Sequence, residues 1–294
     1  MTDLEVNMDE NKTFLIRGEI KLVLKHKTMF IGLFLVLLIF VVSLLAPVIS
    51  TYDPLFKDPS NRLSPPSKTH FFGTDNLGED VYSRTLYGGR LSFLTGFSVM
   101  FLSGFFGTLL GLVSGYFRKF DFILMRILDG FMAFPSVLLA IALTAVLGGR
   151  LSNVIIALSV VYTPSFARVV RSVVLIVREA QYVEAAKAMG ASSYRIIFRH
   201  ILPNSFAPII VQGSYVFAQA VILEAALSFL GVGVPPWIPT WGSIMSAGRA
   251  YMIVAPWIIF FPGIFVILAV LGLNLFGDGL RDLTDPRLRG KRGV

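Results

Sequence analysis

Leu91-Ser-Phe-Leu-Thr-Gly-Phe-Ser-Val-Met-Phe-Leu-Ser-Gly-Phe-Phe-Gly-Thr-Leu-Leu-Gly-Leu-Val-Ser-Gly-Tyr-Phe117 runs without a single charge. The hydrocarbon of a bilayer, about 30 Å thick, takes roughly 20 apolar residues of helix to cross. Backbone amides in that medium must be satisfied within the segment, so the run predicts a spanning helix. Gly96, Gly104, Gly107, Gly111 and Gly115 punctuate it. Small residues at such spacing let a second helix approach closely.

Five further apolar runs flank this one: Met29–Ile49, Phe122–Gly149, Leu151–Val177, Asn204–Leu230 and Met252–Gly277. The fold class that follows is an all-α polytopic membrane protein with six transmembrane helices. Composition agrees. Charged residues make up 15% and hydrophobic residues 55% of 294, with a mean hydropathy of +0.73, whereas a soluble domain carries about a quarter charged. The first run exceeds the usual length of a signal-peptide core and follows an acidic stretch (Asp3, Glu5, Asp9, Glu10), so it reads as a retained helix.

The net charge of +8 does not point to nucleic acid, because the basic residues sit in short connections between apolar runs. Of 26 Lys and Arg, 19 fall in residues 1–28, 118–126, 168–200 and 278–294. That asymmetry places both termini in the cytoplasm. The chain then divides into a cytoplasmic segment 1–28, a first helix 29–50, an external segment 51–90, a five-helix core 91–278 with a cytoplasmic loop 179–203, and a cytoplasmic tail 279–294. In the external segment, Pro54, Pro59, Pro65 and Pro66 predict extended chain, and Leu77–Tyr87 a short interfacial helix. A second external stretch, Gly231–Arg249, carries Trp237 and Trp241, which suit a membrane interface.

Chemistry-bearing residues are few. Cysteine is absent, and His26, His70 and His200 are too scattered for a metal site. Glu224 lies inside an apolar run and either lines a pathway or braces a neighbouring helix. Arg126 and Asp129 are spaced to pair on one helix face. Pro135, Pro164 and Pro256 mark kinks. No Gly-x4-Gly-Lys-Ser/Thr phosphate loop occurs, so energy for any transport comes from another chain or a gradient.

The informative connection is Gln181-Tyr-Val-Glu-Ala-Ala-Lys-Ala-Met-Gly-Ala-Ser-Ser-Tyr-Arg-Ile-Ile-Phe-Arg-His-Ile-Leu-Pro203. Good helix formers from Gln181 to Met189 predict a short helix, which Gly190 ends in a left-handed conformation. Ser192 or Ser193 caps a second helix running through Ile201, and Pro203 closes it or opens the next. Tyr182, Ala185, Ala186 and Met189 share one face. That face suits a groove on another protein or the surface of a membrane.

Glu184-Ala-Ala, with Gly190 six residues after the Glu and then Leu202-Pro203, resembles the EAA loop of ABC importer permeases. His200 stands where that family commonly has Ile, and Arg199-His-Ile-Leu-Pro-Asn204 is similar to the peptide and nickel branch. Three further stretches resemble the C component of dipeptide and oligopeptide permeases. They are Gly73-Thr-Asp-Asn-Leu-Gly-Glu-Asp-Val-Tyr-Ser-Arg84, Ser228-Phe-Leu-Gly-Val-Gly233 through Trp241-Gly242, and Asn274-Leu-Phe-Gly-Asp-Gly-Leu-Arg-Asp282 with Asp285-Pro-Arg287. Glu79 stands where the family has Arg, which reverses a charge expected on the external surface.

The resemblance implies a type I ABC importer permease fold and a non-catalytic subunit of the cell (inner, cytoplasmic) membrane. It implies a homologous permease, two ATPase subunits that carry ATP and Mg, and an external solute-binding protein. The loop 179–203 is then the coupling loop. Ala185, Ala186 and Met189 fill a cleft of the ATPase beside Tyr182, and Glu184 contacts its rim. Gly190 permits the bend, and Arg199 and His200 brace the second helix ahead of Pro203. Cargo is expected to be di- or oligopeptide, with nickel, opines or oligosaccharide as alternatives. A gradient-driven secondary transporter would show an inverted repeat and charges near mid-membrane. A membrane enzyme would show a catalytic cluster. Neither pattern is visible in the sequence.

Overall fold

The computed structural model describes residues 27–284. Most of the expected segment 1–28 with His26, and the end of the tail with Asp285-Pro-Arg287, lie outside the described residues. Within them the chain is helical, with no strand.

The first apolar run forms α1 (Lys27–Leu44), followed by a single helical turn at Ala46–Ile49. The decisive uncharged run lies within α2 (Val81–Tyr116). At about 1.5 Å per residue its 36 residues outreach the hydrocarbon. The expected interfacial helix at Leu77–Tyr87 is instead the start of α2. Asp75 Oδ1 accepts from the amides of Leu77 and Glu79 at 2.8 and 2.9 Å, holding a turn there. Asp80 then caps α2 by accepting from the Ser83 amide at 2.9 Å. No helix breaker separates that cap from the membrane run.

The third run is not one straight span. It forms α3 (Arg118–Met132) and α4 (Ser136–Leu147), bent by 91° between them. Pro135 sits at the break, where its ring bars the preceding residue from helical geometry. The chain continues through α5 (Leu151–Val177), α6 (Gln181–Ala188), α7 (Ser193–Ile196), α8 (Leu202–Phe229), α9 (Trp241–Gly248) and α10 (Trp257–Thr284). Five of the described helices or helix runs are long and apolar enough to cross a bilayer, and six spans result if α3 and α4 count as one. Pro164 lies inside α5. Pro256 precedes α10 rather than kinking it, so the last span begins five residues later than the composition predicts.

The glycines of α2 do what their spacing suggests. A Cβ on Gly111 would stand 2.7 Å from Val170 Cβ, and one on Gly115 2.6 Å from Val174 Cβ, so α2 and α5 pack backbone to backbone. Val99, Leu158, Phe166, Val216, Ala220 and Leu227 bury the seam that α2, α5 and α8 share. Burying each such side chain contributes about 1.5–3 kcal/mol where water is the alternative. In lipid, tight packing carries more of the association.

The segment before α2 and the 231–256 stretch meet at one end of the bundle. Arg84 Nη2 donates to Pro236 O at 3.0 Å, and Trp257 Nε1 to Thr74 O at 3.1 Å. Two expectations are corrected here. Trp241 is fully buried, with Nε1 donating to Thr85 O at 3.0 Å, while Trp237 alone of the pair is exposed. Glu79 is buried rather than on the surface, against Arg84, which also donates to Asp75 Oδ2 at 3.0 Å. One guanidinium thus lies between two carboxylates. Burial pushes the Asp75 carboxyl above its ordinary range, with Arg84 opposing.

Candidate functional site

The loop 179–203 lies at the other end of the bundle, beyond the ends of α2 and α5. Arg178, at the end of α5, donates Nη1 to Gly115 O at 2.7 Å, and Lys187 Nζ reaches back to Arg178 O at 3.3 Å. The loop therefore stands on the closely packed α2–α5 pair.

Helix α6 ends as its sequence predicts. Gly190 adopts φ +80, and its amide donates to Lys187 O at 2.9 Å while the Ala191 amide donates to Ala186 O at 3.0 Å. That pair of bonds is a Schellman closure, which a left-handed residue makes possible. Of the two candidate caps it is Ser192 that caps α7, accepting from the Arg195 amide. The second helix does not stop at Ile201. It passes through a wide π turn at Ile197–Ile201 directly into α8, and Pro203 sits in the first turn of that helix. Asn204 Nδ2 donates to His200 O at 2.6 Å, occupying a carbonyl next to the proline break.

The expected contact face is partly redirected. Val183 and Ala186 are buried, and Val183 packs with Val170, Val174, Ile196 and Ile201. Ala186 therefore belongs to the inner face of α6 and does not project outward. Tyr182, Glu184, Ala185, Met189 and Gly190 are exposed, Met189 to 82%. Spacing alone could not divide the face, because Ala185 and Ala186 are adjacent and the inward direction is set by Ile196 and Ile201. Tyr194 (71% exposed) and Phe198 add an apolar patch that the sequence reading passed over. Alternation of Tyr194 and Phe198 with the buried Ile196 and Ile197 is the signal that marks it.

The His200 ring lies 6.1 Å from that of Tyr182, whose hydroxyl accepts from Asn204 Nδ2 at 3.5 Å. Arg199 and Pro203 are exposed. Behind the loop, Asp121 of α3 takes both forks of Arg171 on α5 at 2.6 and 2.7 Å. Asp129 pairs with Arg168 at 2.8 Å rather than with Arg126, whose guanidinium lies 5.2 Å from the centre of the Phe122 ring. The 91° bend carries α3 alongside α5, and its acids therefore find partners there rather than along their own helix.

Glu224 is 0% exposed. Its Oε1 accepts from Ser228 Oγ and from Thr240 Oγ1, each at 2.9 Å. Thr240 caps α9. Through Glu224 these bonds tie α8 to the start of α9.

Residues 107–290 match the family described as binding-protein-dependent transport system inner membrane component. The chain belongs to that family. Residues 22–66 of the permease match the N-terminal transmembrane domain of oligopeptide transport permease C. A Brucella abortus protein described as a peptide transport system permease is 48% identical over 266 residues, covering 90% of each chain. The dipeptide transport system permease protein DppC of Alkalihalophilus pseudofirmus is 45% identical, covering 93% of the permease and 90% of its relative. The glutathione transport system permease protein GsiD of Pectobacterium atrosepticum is 41% identical, covering 90% and 88%. Among solved structures, inward-facing MetNI methionine ABC transporter has a chain that superposes with a TM-score of 0.52 at 21% identity, covering 66% of the permease and 95% of that chain. The fold is thus that of an ABC importer permease, and the protein is a multi-pass membrane subunit of such an importer.

Proposed function

We propose that the permease forms the translocation pathway of an ATP-driven importer of di- or oligopeptides, together with a homologous permease. It is driven by two ATPase subunits that seat the loop 179–203. The observation that carries this reading is the exposed face of α6 and α7. Tyr182, Met189, Tyr194 and Phe198 stand out from a rigidly closed turn. An apolar patch on a loop flanked by Arg178, Arg195 and Arg199 is costly in water and marks a protein contact. Peptide as cargo rests on what the relatives are named for.

In this reading both termini and the loop are cytoplasmic, and the protein sits in the cell membrane. ATP and Mg bind to the ATPase chains. Closure of the ATPase pair pushes on α6, and the π turn and α8 carry that motion into the bundle. A solute-binding protein delivers cargo at the end held by Arg84 and Trp241. Arg199 and Glu184 contact the rim of the ATPase cleft, and Ala185 and Met189 enter it.

The test is gentle extraction of the tagged protein from its native membrane, with mass spectrometry of what accompanies it. ATPase chains and a second permease are expected. Recovery of the chain alone, still active in liposomes without ATP, would contradict the proposal.

A further inference from the structure

A groove of about 750 Å³ lies between α1 and α2, apart from the coupling loop. Its two walls run antiparallel, aligned where Gly89 packs against Ser43 and where the rings of Phe40 and Phe93 meet at 5.5 Å. The walls differ along their length. Ser43, Tyr87 and Arg90 gather at the end nearest residues 51–80, Phe40 and Leu94 lie midway, and the opposite end is formed by Val36, Leu37 and Phe97.

Three observations limit what can fill it. First, the guanidinium of Arg90 lies 5.8 Å from the centre of the Tyr87 ring, and none of the ion pairs among the described residues involves Arg90. Second, the Ser43 hydroxyl is sealed against Gly89 of α2, so that wall offers an occupant apolar surface and Arg90 its charge. Third, Arg90 to Phe97 spans about 10 Å of helix, within the depth of one leaflet of the roughly 30 Å hydrocarbon. Arg90 directly precedes the uncharged run, which places it at the membrane–water interface. The groove thus has a cationic head at the interface and an apolar body that ends within one leaflet.

We propose that this groove is a binding site for an anionic phospholipid of the leaflet on the side of residues 51–80. The phosphate sits on Arg90, whose planar fork matches phosphate oxygens. An acyl chain lies along Phe40, Leu94 and Phe97. A helix of a second permease would run the full depth of the membrane, beyond the length of the groove. The proposal rests only on the chain spanning a membrane and is independent of what the importer carries.

The experiment uses the intact transporter in nanodiscs of phosphatidylcholine, with or without phosphatidylglycerol. Phosphatidylglycerol is expected to raise the melting temperature of the complex. Arg90→Gln should lose at least half of that rise and should retain about one fewer phosphatidylglycerol per complex by native mass spectrometry. Arg62→Gln, which removes an exposed cation of the 51–80 segment, should keep both. Equal responses in the native protein and Arg90→Gln would overturn the site. In case Arg90→Gln does not assemble, a photo-cross-linking residue at Leu94 with Arg90 intact reads the occupant directly. A phospholipid adduct is expected, and an adduct to a polypeptide of the partner permease would overturn the proposal.

Discussion

Asp121 on α3 grips Arg171 on α5 through two parallel hydrogen bonds of 2.6 and 2.7 Å, across fifty positions of sequence. The pair fixes the bent third span to the helix that leads into the loop 179–203. Both partners are about a quarter exposed, so the contribution is near the upper end for surface pairs, about 1 kcal/mol. Arg171→Ala is expected to lower the melting temperature by about 2–4 °C, the shift such a loss gives in a chain of this size class. Arg171→Lys should recover little, because an ammonium cannot make the two-pronged contact. Thermal unfolding of the purified complex checks both.

Gly190 at φ +80 has open space around its missing Cβ. Gly190→Glu therefore costs only the left-handed strain, about 1–2 kcal/mol, and leaves the chain folded. If the turn seats the ATPase, the variant hydrolyses ATP but imports slowly or not at all. Parallel measurement of hydrolysis and uptake decides, and a normal uptake rate would remove Gly190 from the coupling site.

The two faces of α6 should separate cleanly. Val183→Ala removes buried methyl groups packed on Ile196 and Ile201 and should destabilise by about 1–2 kcal/mol. Met189→Asp, on the exposed face, should leave the melting temperature within about 1 °C, since surface changes of this kind are usually near neutral. It should nonetheless weaken ATPase binding at least tenfold. Pull-down of the ATPase against each variant distinguishes them.

Glu224→Ala strands the hydroxyls of Ser228 and Thr240 in a buried site, at a cost of about 1–3 kcal/mol. Glu224→Gln keeps an acceptor for both and should recover most of the stability. Uptake kinetics should then match the native protein for cargo of any charge. A change in charge preference with Glu224→Gln at unchanged stability would restore the pathway role.

The Asp75 carboxyl is raised by burial above its ordinary 3.8. A group raised in the folded state binds its proton more tightly there, so its contribution is complete below the unfolded value and is lost as pH rises through the folded one. Melting curves of the native complex should therefore decline relative to Asp75→Asn as pH climbs from about 4 through the raised value. A native protein that gains on Asp75→Asn over that range would reverse the sign.

Helix existence was legible because lipid admits so few backbone solutions that an uncharged run of this length suffices. The Leu151–Val177 span has the same bounds in the sequence reading and in the structure, since Gly148-Gly149-Arg150 precede it and Arg178-Glu179 follow it. The bend at Pro135 was read as a kink, not as a break of 91°, since a proline fixes only its own surroundings and not the angle at which packed helices settle. The cap at Ser192 and the closure at Gly190 are local, and the residues named themselves. Asp121–Arg171, Asp129–Arg168 and Arg84–Glu79 depend on which helices lie side by side. Helical periodicity offered Arg126 to Asp129 instead. Ala186 turned inward for the same reason: it shares the inner face of α6 with Val183, whose neighbours Ile196 and Ile201 lie beyond the reach of the α6 pattern.

The most direct test of the central claim is uptake of a labelled dipeptide by proteoliposomes holding the permease, its partner permease, the ATPases and the solute-binding protein, with no ion gradient. Uptake is expected to require ATP and to fall at least tenfold with Met189→Asp. Uptake that proceeds without ATP when an ion gradient is imposed, and that ignores Met189→Asp, would contradict coupling through residues 181–203.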